Sequence, residues 1–236
     1  MRWLAFLLLA TPAAAVTCED VTYRDQSFTT CTVDATKEVL WLFHKDDVGN
    51  VFGQFSAVEA SFDVETLAFA MNAGMYHEDR APVGLYIEGG KVTQEIITSD
   101  GPGNFGLLPN GVFCINDTSA RVIESLAYVA ENPSCRDATQ SGPMLVIDGE
   151  LHPKFLPDGT SRLIRNGVGT TDDQTTAVFV ISNDRVSFHE FGSFFRDHLG
   201  LNQALFLDGN VSRLHAPQLG RSDRGAMLGP IVGVID

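Results

Sequence analysis

Five short clusters of amide, hydroxyl and glycine residues punctuate the chain. They are Met71-Asn72-Ala73-Gly74-Met75-Tyr76, Gly101-Pro102-Gly103-Asn104-Phe105, Thr139-Gln140-Ser141-Gly142-Pro143, Ile164-Arg165-Asn166-Gly167-Val168-Gly169-Thr170 and Leu207-Asp208-Gly209-Asn210-Val211-Ser212. Each follows or interrupts apolar residues. Polar groups exposed at strand ends are a common layout for binding a ligand. Asn72, Asn104, Gln140, Ser141, Asn166, Thr170 and Ser212 can both donate and accept hydrogen bonds. Gly74 and Gly142 let backbone N–H groups approach an anion closely. Tyr76 offers a flat ring that can stack on a ligand. Any one cluster also reads as a plain turn, because Asn, Asp and Gly serve turns for backbone reasons. Five of them, carrying one Arg, put the ligand-binding reading on equal footing.

Standard catalytic signatures are missing from the sequence. There is no G-x-S-x-G, no H-E-x-x-H and no Walker loop. His189-Glu190 has no second His at the required spacing, which excludes a zinc protease of that type. Asp172-Asp173 and Asp208-Gly209-Asn210 lack the alternating carboxylates of a calcium loop. No C-x-x-C pair is present. The sequence therefore implies neither a metal nor a cofactor.

The elements that must position the clusters are mostly short strands. Val39–Phe43, Thr66–Ala70, Met144–Ile147, Ala204–Leu207 and Ile231–Ile235 are apolar runs of strand length. Hairpins are predicted for Gly84–Ile87 with Val92–Ile97 around Glu88-Gly89-Gly90-Lys91, and for Gly111–Ile115 with Arg121–Ile123 around Asn116-Asp117. A third is predicted for Val178–Ile181 with Val186–His189. Helical spacing appears in Phe55–Phe62, in Glu124–Glu131 ahead of Asn132-Pro133, and in Phe191–Leu199 ahead of Gly200. The predicted class is α+β: one strand-dominated domain of mixed sheets with a few flanking helices.

Composition narrows the setting. The chain has 236 residues, 44% hydrophobic and 19% charged, which fits a folded protein with a real core. A net charge of −14 argues against nucleic acid as a partner and against an anionic membrane surface. Residues 1–15 read as a secretory signal: Arg2, then apolar Trp3–Ala10, then Pro12 and Ala13-Ala14-Ala15. Residues 16–236 form the expected working domain. No later run is long and apolar enough to span a membrane as a helix. Cys18, Cys31, Cys114 and Cys135 all follow the signal, and an exported chain favours disulfides. Three pairings are possible. The sequential one, Cys18 with Cys31 and Cys114 with Cys135, closes short loops and is the one expected.

The order and spacing of Asn72-Ala73-Gly74-Met75-Tyr76, Ser141-Gly142-Pro143-Met144-Leu145-Val146, Arg165-Asn166-Gly167-Val168-Gly169 and Leu207-Asp208-Gly209-Asn210-Val211-Ser212 resemble the phosphodiester glycosidase domain family. That is the family of the lysosomal uncovering enzyme, which removes N-acetylglucosamine from a sugar phosphodiester. Pro82-Val83-Gly84-Leu85-Tyr86 and Asn104-Phe105 add a likeness to bacterial exported members. Where the uncovering enzyme carries a second glycine after the aspartate, this chain has Asn210.

The resemblance implies a hydrolase acting on a sugar-1-phosphodiester or a related glycan in the cell envelope. A phosphate monoester leaves readily, so a strong general acid is less needed than for an alkyl glycoside. The implied chemistry asks for a cation at the phosphate, and Arg165 is the candidate. It asks for a carboxylate near the anomeric carbon, and Asp208 leads, with Glu78 second. The polar cluster residues would hold the sugar. His77 and His215 are weak candidates for acid–base work. The same layout would also serve a binding protein that does no chemistry.

Overall fold

The computed structural model describes residues 16–62 and 66–236. The segment read as a signal, residues 1–15, lies outside them. The strands in chain order are β1 (Val16–Tyr23), β2 (Gln26–Asp34), β3 (Leu40–Phe43), β4 (Leu67–Asn72), β5 (Tyr86–Glu88), β6 (Lys91–Gln94), β7 (Gly111–Asn116), β8 (Ser119–Glu124), β9 (Asp137–Ser141), β10 (Met144–Ile147), β11 (Glu150–Leu151), β12 (Asn166–Thr170), β13 (Thr176–Ser182), β14 (Gln203–Asp208), β15 (Leu214–Ala216), β16 (Arg221–Ser222) and β17 (Ile231–Ile235). They build three sheets. The first runs β1-β2-β13-β12-β14-β10-β11, the second β16-β15-β4-β17-β3, the third β6-β5-β9-β7-β8. The strand-dominated α+β expectation holds. Mixed pairing was expected, yet every pairing between named strands is antiparallel. Hairpins and short returns join most neighbours, and these give antiparallel ladders.

Aromatic contacts knit the sheets together. Phe179 of β13 meets Phe69 of β4 at 4.7 Å and Phe113 of β7 edge-on at 5.6 Å between ring centres. One side chain from each sheet thus shares a single buried point. Helix α1 (Phe55–Glu59) covers one flank, and α2 (Ser125–Glu131) begins where β8 ends. Helix α3 (Phe188–Ser193) runs into a wider π-type turn, Phe194–His198, and packs on the first sheet. Two glycines of β12 make that packing possible. A Cβ on Gly167 would lie 3.2 Å from the Phe191 ring, and one on Gly169 would lie 3.0 Å from the Phe195 ring. Without side chains there, two rings lie directly on the strand backbone.

Two sequence expectations change. Val186–His189 is not a strand. Only Val186 bridges, to Leu163, and Ser187 then starts α3 through a capping box with Glu190. The Ser-x-x-Glu spacing outweighs the apolar alternation. The Thr139–Ser141 and Asn166–Thr170 clusters are not loops beyond strand ends but strands themselves, buried at every position. The β1–β2 hairpin carries no Gly in its turn; Arg24 and Asp25 take the left-handed conformation instead, at φ 48° and 61°.

The sequential disulfides form as expected. Cys18–Cys31 joins directly opposed residues of β1 and β2, and Cys114–Cys135 ties β7 to the segment before β9. The second closes a loop of 21 residues. Replacing both Cys114 and Cys135 by Ser should therefore cost about 3 kcal/mol of stability, read from the urea midpoint.

His44 and His152 are buried, and desolvation lowers both pKa values below 6.5. Between the folded and unfolded pKa values the unfolded chain binds more protons, so their contribution is present above 6.5 and is lost as pH falls from there through the lowered folded values. The His44→Gln/His152→Gln double variant should lose less stability between pH 7 and pH 5 than the parent does, as followed by urea denaturation.

Candidate functional site

All three sheets converge on the end of β14. From the third sheet, the Ser141 hydroxyl donates to the Leu207 carbonyl at 2.9 Å. From the second sheet, Asn72 reaches across to Asn166 of the first. Asn166 Nδ2 donates to the Asn72 carbonyl at 3.0 Å, and Asn72 Nδ2 donates to Asn166 Oδ1 at 3.3 Å. Asn72 Oδ1 then accepts the Arg213 N–H at 2.8 Å. Ser212 Oγ lies 3.1 Å from Asn166 Oδ1 and from the Asp208 carbonyl. Asn72, Ser141 and Asn166 are fully buried. Their amide and hydroxyl groups are spent on the segment from Leu207 to Arg213, so they hold the site rather than line it.

That segment presents Asp208. Its Oδ1 accepts three backbone N–H groups, from Gly209 at 2.5 Å, Asn210 at 2.7 Å and Val211 at 3.4 Å. The other oxygen has no protein partner among the described residues, and Asp208 lines a cleft of about 510 Å³. Tyr76, His77, Glu78, Arg80, Asn104 and Asn210 also line it, with Met75 and Met227 as apolar wall. Tyr76 is half-buried, and Gly229 packs so closely that a Cβ there would lie 2.4 Å from its ring. Burial, and then the charge of Asp208, raise the Tyr76 pKa; Arg80 and Arg213 oppose that shift. The Arg80 guanidinium lies 5.6 Å from the Tyr76 ring centre. It is held by a tight turn: His77 N–H donates to the Ala81 carbonyl, Arg80 takes φ 73°, and Arg80 Nη1 donates to the Glu78 carbonyl.

Asn210 does not distort the turn. Neither it nor Gly209 adopts a positive φ. The backbone there needs no glycine, and the Asn210 side chain stands exposed at the cleft.

The expected site residues separate into groups. Asp208, Glu78, Tyr76 and Asn104 share the cleft. Asn72, Ser141, Asn166 and Ser212 stand behind it as scaffold. Gly74 and Gly142 are packing residues. A Cβ on Gly74 would lie 2.5 Å from the Gln140 carbonyl, and one on Gly142 would lie 2.7 Å from the Asn110 Cβ. Three placements correct the sequence reading. Gln140 is buried, and its amide staples Leu85, Ile97 and Ser125, leaving nothing for a ligand. Thr170 sits at the far end of β12, paired opposite Gln203 while Asn166 pairs opposite Asp208, and its hydroxyl accepts the Val122 N–H. At ~3.3 Å per residue it lies roughly 13 Å from the site.

Arg165 does not line the cleft. It is fully buried, with Nε on the Val186 carbonyl and Nη2 on the Ser161 carbonyl, and its guanidinium sits 3.7 Å above the Phe188 ring. Desolvation lowers its pKa to about 10. Nη1 has no partner and lies 3.3 Å from where a Gly209 Cβ would be. The cation that does line the cleft, Arg80, lay in no cluster of small polar residues and was missed for that reason. Its only sequence signal was a charged turn just after Tyr76. His77 joins the cleft, whereas His215 faces Ser222 and Glu59 elsewhere. Among the described residues no three His, Cys, Asp or Glu side chains converge as a metal site.

Loss of the buried amide bridge should be costly, and loss of the exposed one should not. Asn166→Ala should lower stability by about 2 kcal/mol, since it takes the Asn166 partner from the buried Asn72 amide and carbonyl. Asn210→Ala should stay within about 0.5 kcal/mol of the parent in the same urea titration.

Comparison with known proteins agrees with the motif reading. The sequence pattern of the phosphodiester glycosidase family matches residues 65–216. The Escherichia coli K12 protein YigE, itself described as uncharacterized, is 32% identical over 216 residues, covering 90% of this chain and 84% of its own length. The fold is similar to the zebrafish N-acetylglucosamine-1-phosphodiester alpha-N-acetylglucosaminidase catalytic domain, solved auto-inhibited by its pro-peptide. The TM-score is 0.62 at 11% identity, covering 95% of this chain and 85% of that one. A Burkholderia pseudomallei K96243 protein described as a candidate exported protein gives a TM-score of 0.56 at 11% identity, over 89% of this chain and 74% of that one. With its cleft-facing aspartate and the three-sheet scaffold behind it, this chain belongs to the phosphodiester glycosidase family.

Proposed function

We propose that residues 16–236 form an exported hydrolase that cleaves the glycosidic bond of a sugar-1-phosphodiester, after an export signal at residues 1–15. The observation that carries this reading is the Asp208 carboxylate. One oxygen is fixed by three N–H groups and the other is free at a polar cleft. Three converging N–H donors set the direction of the carboxylate, as pre-organised catalysis requires. In the reaction, the bond from the anomeric carbon to a phosphate oxygen breaks. Water supplies hydroxide to that carbon, and its proton passes to the departing phosphate or to solvent. Positive charge gathers on the sugar and negative charge on the leaving group. Asp208 stabilises the first, and Arg80 is placed for the second. Asn104 and Asn210 can bond sugar hydroxyls, with Tyr76 as a partly apolar wall. The two disulfides and the likeness to a candidate exported protein support work outside the cytoplasm. Among the described residues no helix is long and apolar enough to cross a membrane.

The test incubates the chain with methyl diesters of sugar 1-phosphates and measures released reducing sugar. Asp208→Asn should lower kcat by about 10³-fold, the size seen when a charge-stabilising group is removed. Arg80→Met should raise KM about tenfold or more, because a charged hydrogen bond to phosphate is lost. No sugar release from any diester, combined with calorimetric binding that survives Asp208→Asn, would instead establish the second reading, a glycan-binding protein.

A further inference from the structure

Most arginines with an ion pair lie away from the cleft: Arg24, Arg121, Arg136, Arg162, Arg196 and Arg221 each hold a carboxylate. The arginines around Asp208 differ. Among the described residues, none of Arg80, Arg165 and Arg213 pairs with a carboxylate. Arg165 Nη1 is buried, without a hydrogen bond, directly behind Gly209. Arg213 is 6% exposed, its Nη1 is likewise buried and unpartnered, and its guanidinium lies against Gly225, 2.5 Å from where a Cβ would be. Gly225 precedes Ala226 and Met227, which form the cleft wall. Desolvation opposes both buried charges.

Buried guanidinium N–H groups without partners are rare, because each forfeits its hydration. Two of them, with Arg80 as a third cation, flank the cleft: Arg165 behind Gly209, and Arg213 and Arg80 close enough to Tyr76 to act on it. Glu78 and His77 stand exposed on the rim, where water screens them. Asp223, the other acid near Arg213, is engaged by Arg221. Arg165 and Arg213 in the walls and Arg80 on the open turn therefore set three positive charges around the cleft, against the Asp208 carboxylate inside it and the water-screened Glu78 at its rim. A phosphodiester brings one negative charge and leaves a surplus. A phosphate monoester at neutral pH and above brings nearly two and balances it.

We propose that this cleft is built for a dianionic phosphate monoester, and that it holds the leaving group of the reaction more tightly than the diester it came from. The identity of the ligand rests on the reading of the protein as a phosphodiester glycosidase; the charge surplus does not. Arg165 and Arg213 act through the low-dielectric wall behind Gly209 and Gly225, where a field persists that surface charges would lose to solvent. Such a site favours charge that develops as the bond breaks, and it makes the phosphate product a competitive inhibitor.

Calorimetry at pH 8 with methyl phosphate and with dimethyl phosphate tests this without any turnover. The full chain should bind methyl phosphate at least tenfold more tightly than dimethyl phosphate. Arg213→Met should cut that preference at least fivefold, and Arg213→Lys should keep most of it. Because Arg213→Met removes a buried side chain and can fail to fold, Arg80→Met on the open turn provides the second variant and should narrow the preference in the same direction. Equal affinity for the two probes, binding of neither, or a preference untouched in a folded Arg80→Met protein would overturn the proposal. Absence of sugar release in the activity assay, with the monoester preference intact, would sink the glycosidase reading and leave the dianion site standing.

Discussion

Two asparagines, Asn72 and Asn166, hold each other across the junction of two sheets, and the placement of Asp208 depends on that grip. Neither strand end could fix the turn after β14 alone. Asn166 belongs to the same sheet as Asp208, while Asn72 comes from the neighbouring one and also receives the Arg213 N–H beyond the turn. The turn is therefore clamped at its start through Asn166 and at its finish through Asn72, with Ser141 pinning Leu207 from the third sheet. Buried amide pairs of this kind are stable only when every group is matched. That requirement couples the geometry of one carboxylate to the packing of the whole molecule.

The electrostatics follow from the same arrangement. The chain is strongly acidic overall, at −14. A few exposed charges are paired, and the rest are screened by solvent. The charge at the cleft is local: Asp208 with its three N–H partners, Arg80 on the wall and the buried guanidiniums of Arg165 and Arg213 behind it. Global charge works against long polyanions such as nucleic acid, and the small anion proposed above depends on local charge alone.

Much of this was legible in the sequence, for definite reasons. The Asp208 turn, the amide clusters and both disulfides announced themselves through residue types with narrow uses. Asp-Gly after an apolar strand is one, and paired cysteines behind a signal-like leader is another. The hairpin at Gly89-Gly90 was equally plain. What the sequence did not separate was scaffold from surface. Gln140 and Asn104 look alike as letters, yet one is consumed by three backbone and hydroxyl partners and the other faces the cleft. Burial decides between them, and burial is set by strands distant in the chain. The same holds for the cations. Arg165 stood inside a motif and Arg80 did not, but only folding brings residue 80 beside residue 208. The misread Val186–His189 segment has a simpler cause, a local contest between apolar alternation and a helix cap that the cap won.

The turn at Gly209-Asn210 carries a consequence for how members of this family can differ. Its backbone keeps ordinary negative φ values, so residue 210 is not bound to be glycine. Its N–H does the structural work by donating to Asp208, and its side chain is left over. Position 210 thus hangs a free side chain on a fixed backbone. That side chain can be exchanged without refolding the carboxylate or disturbing the sheets that hold it.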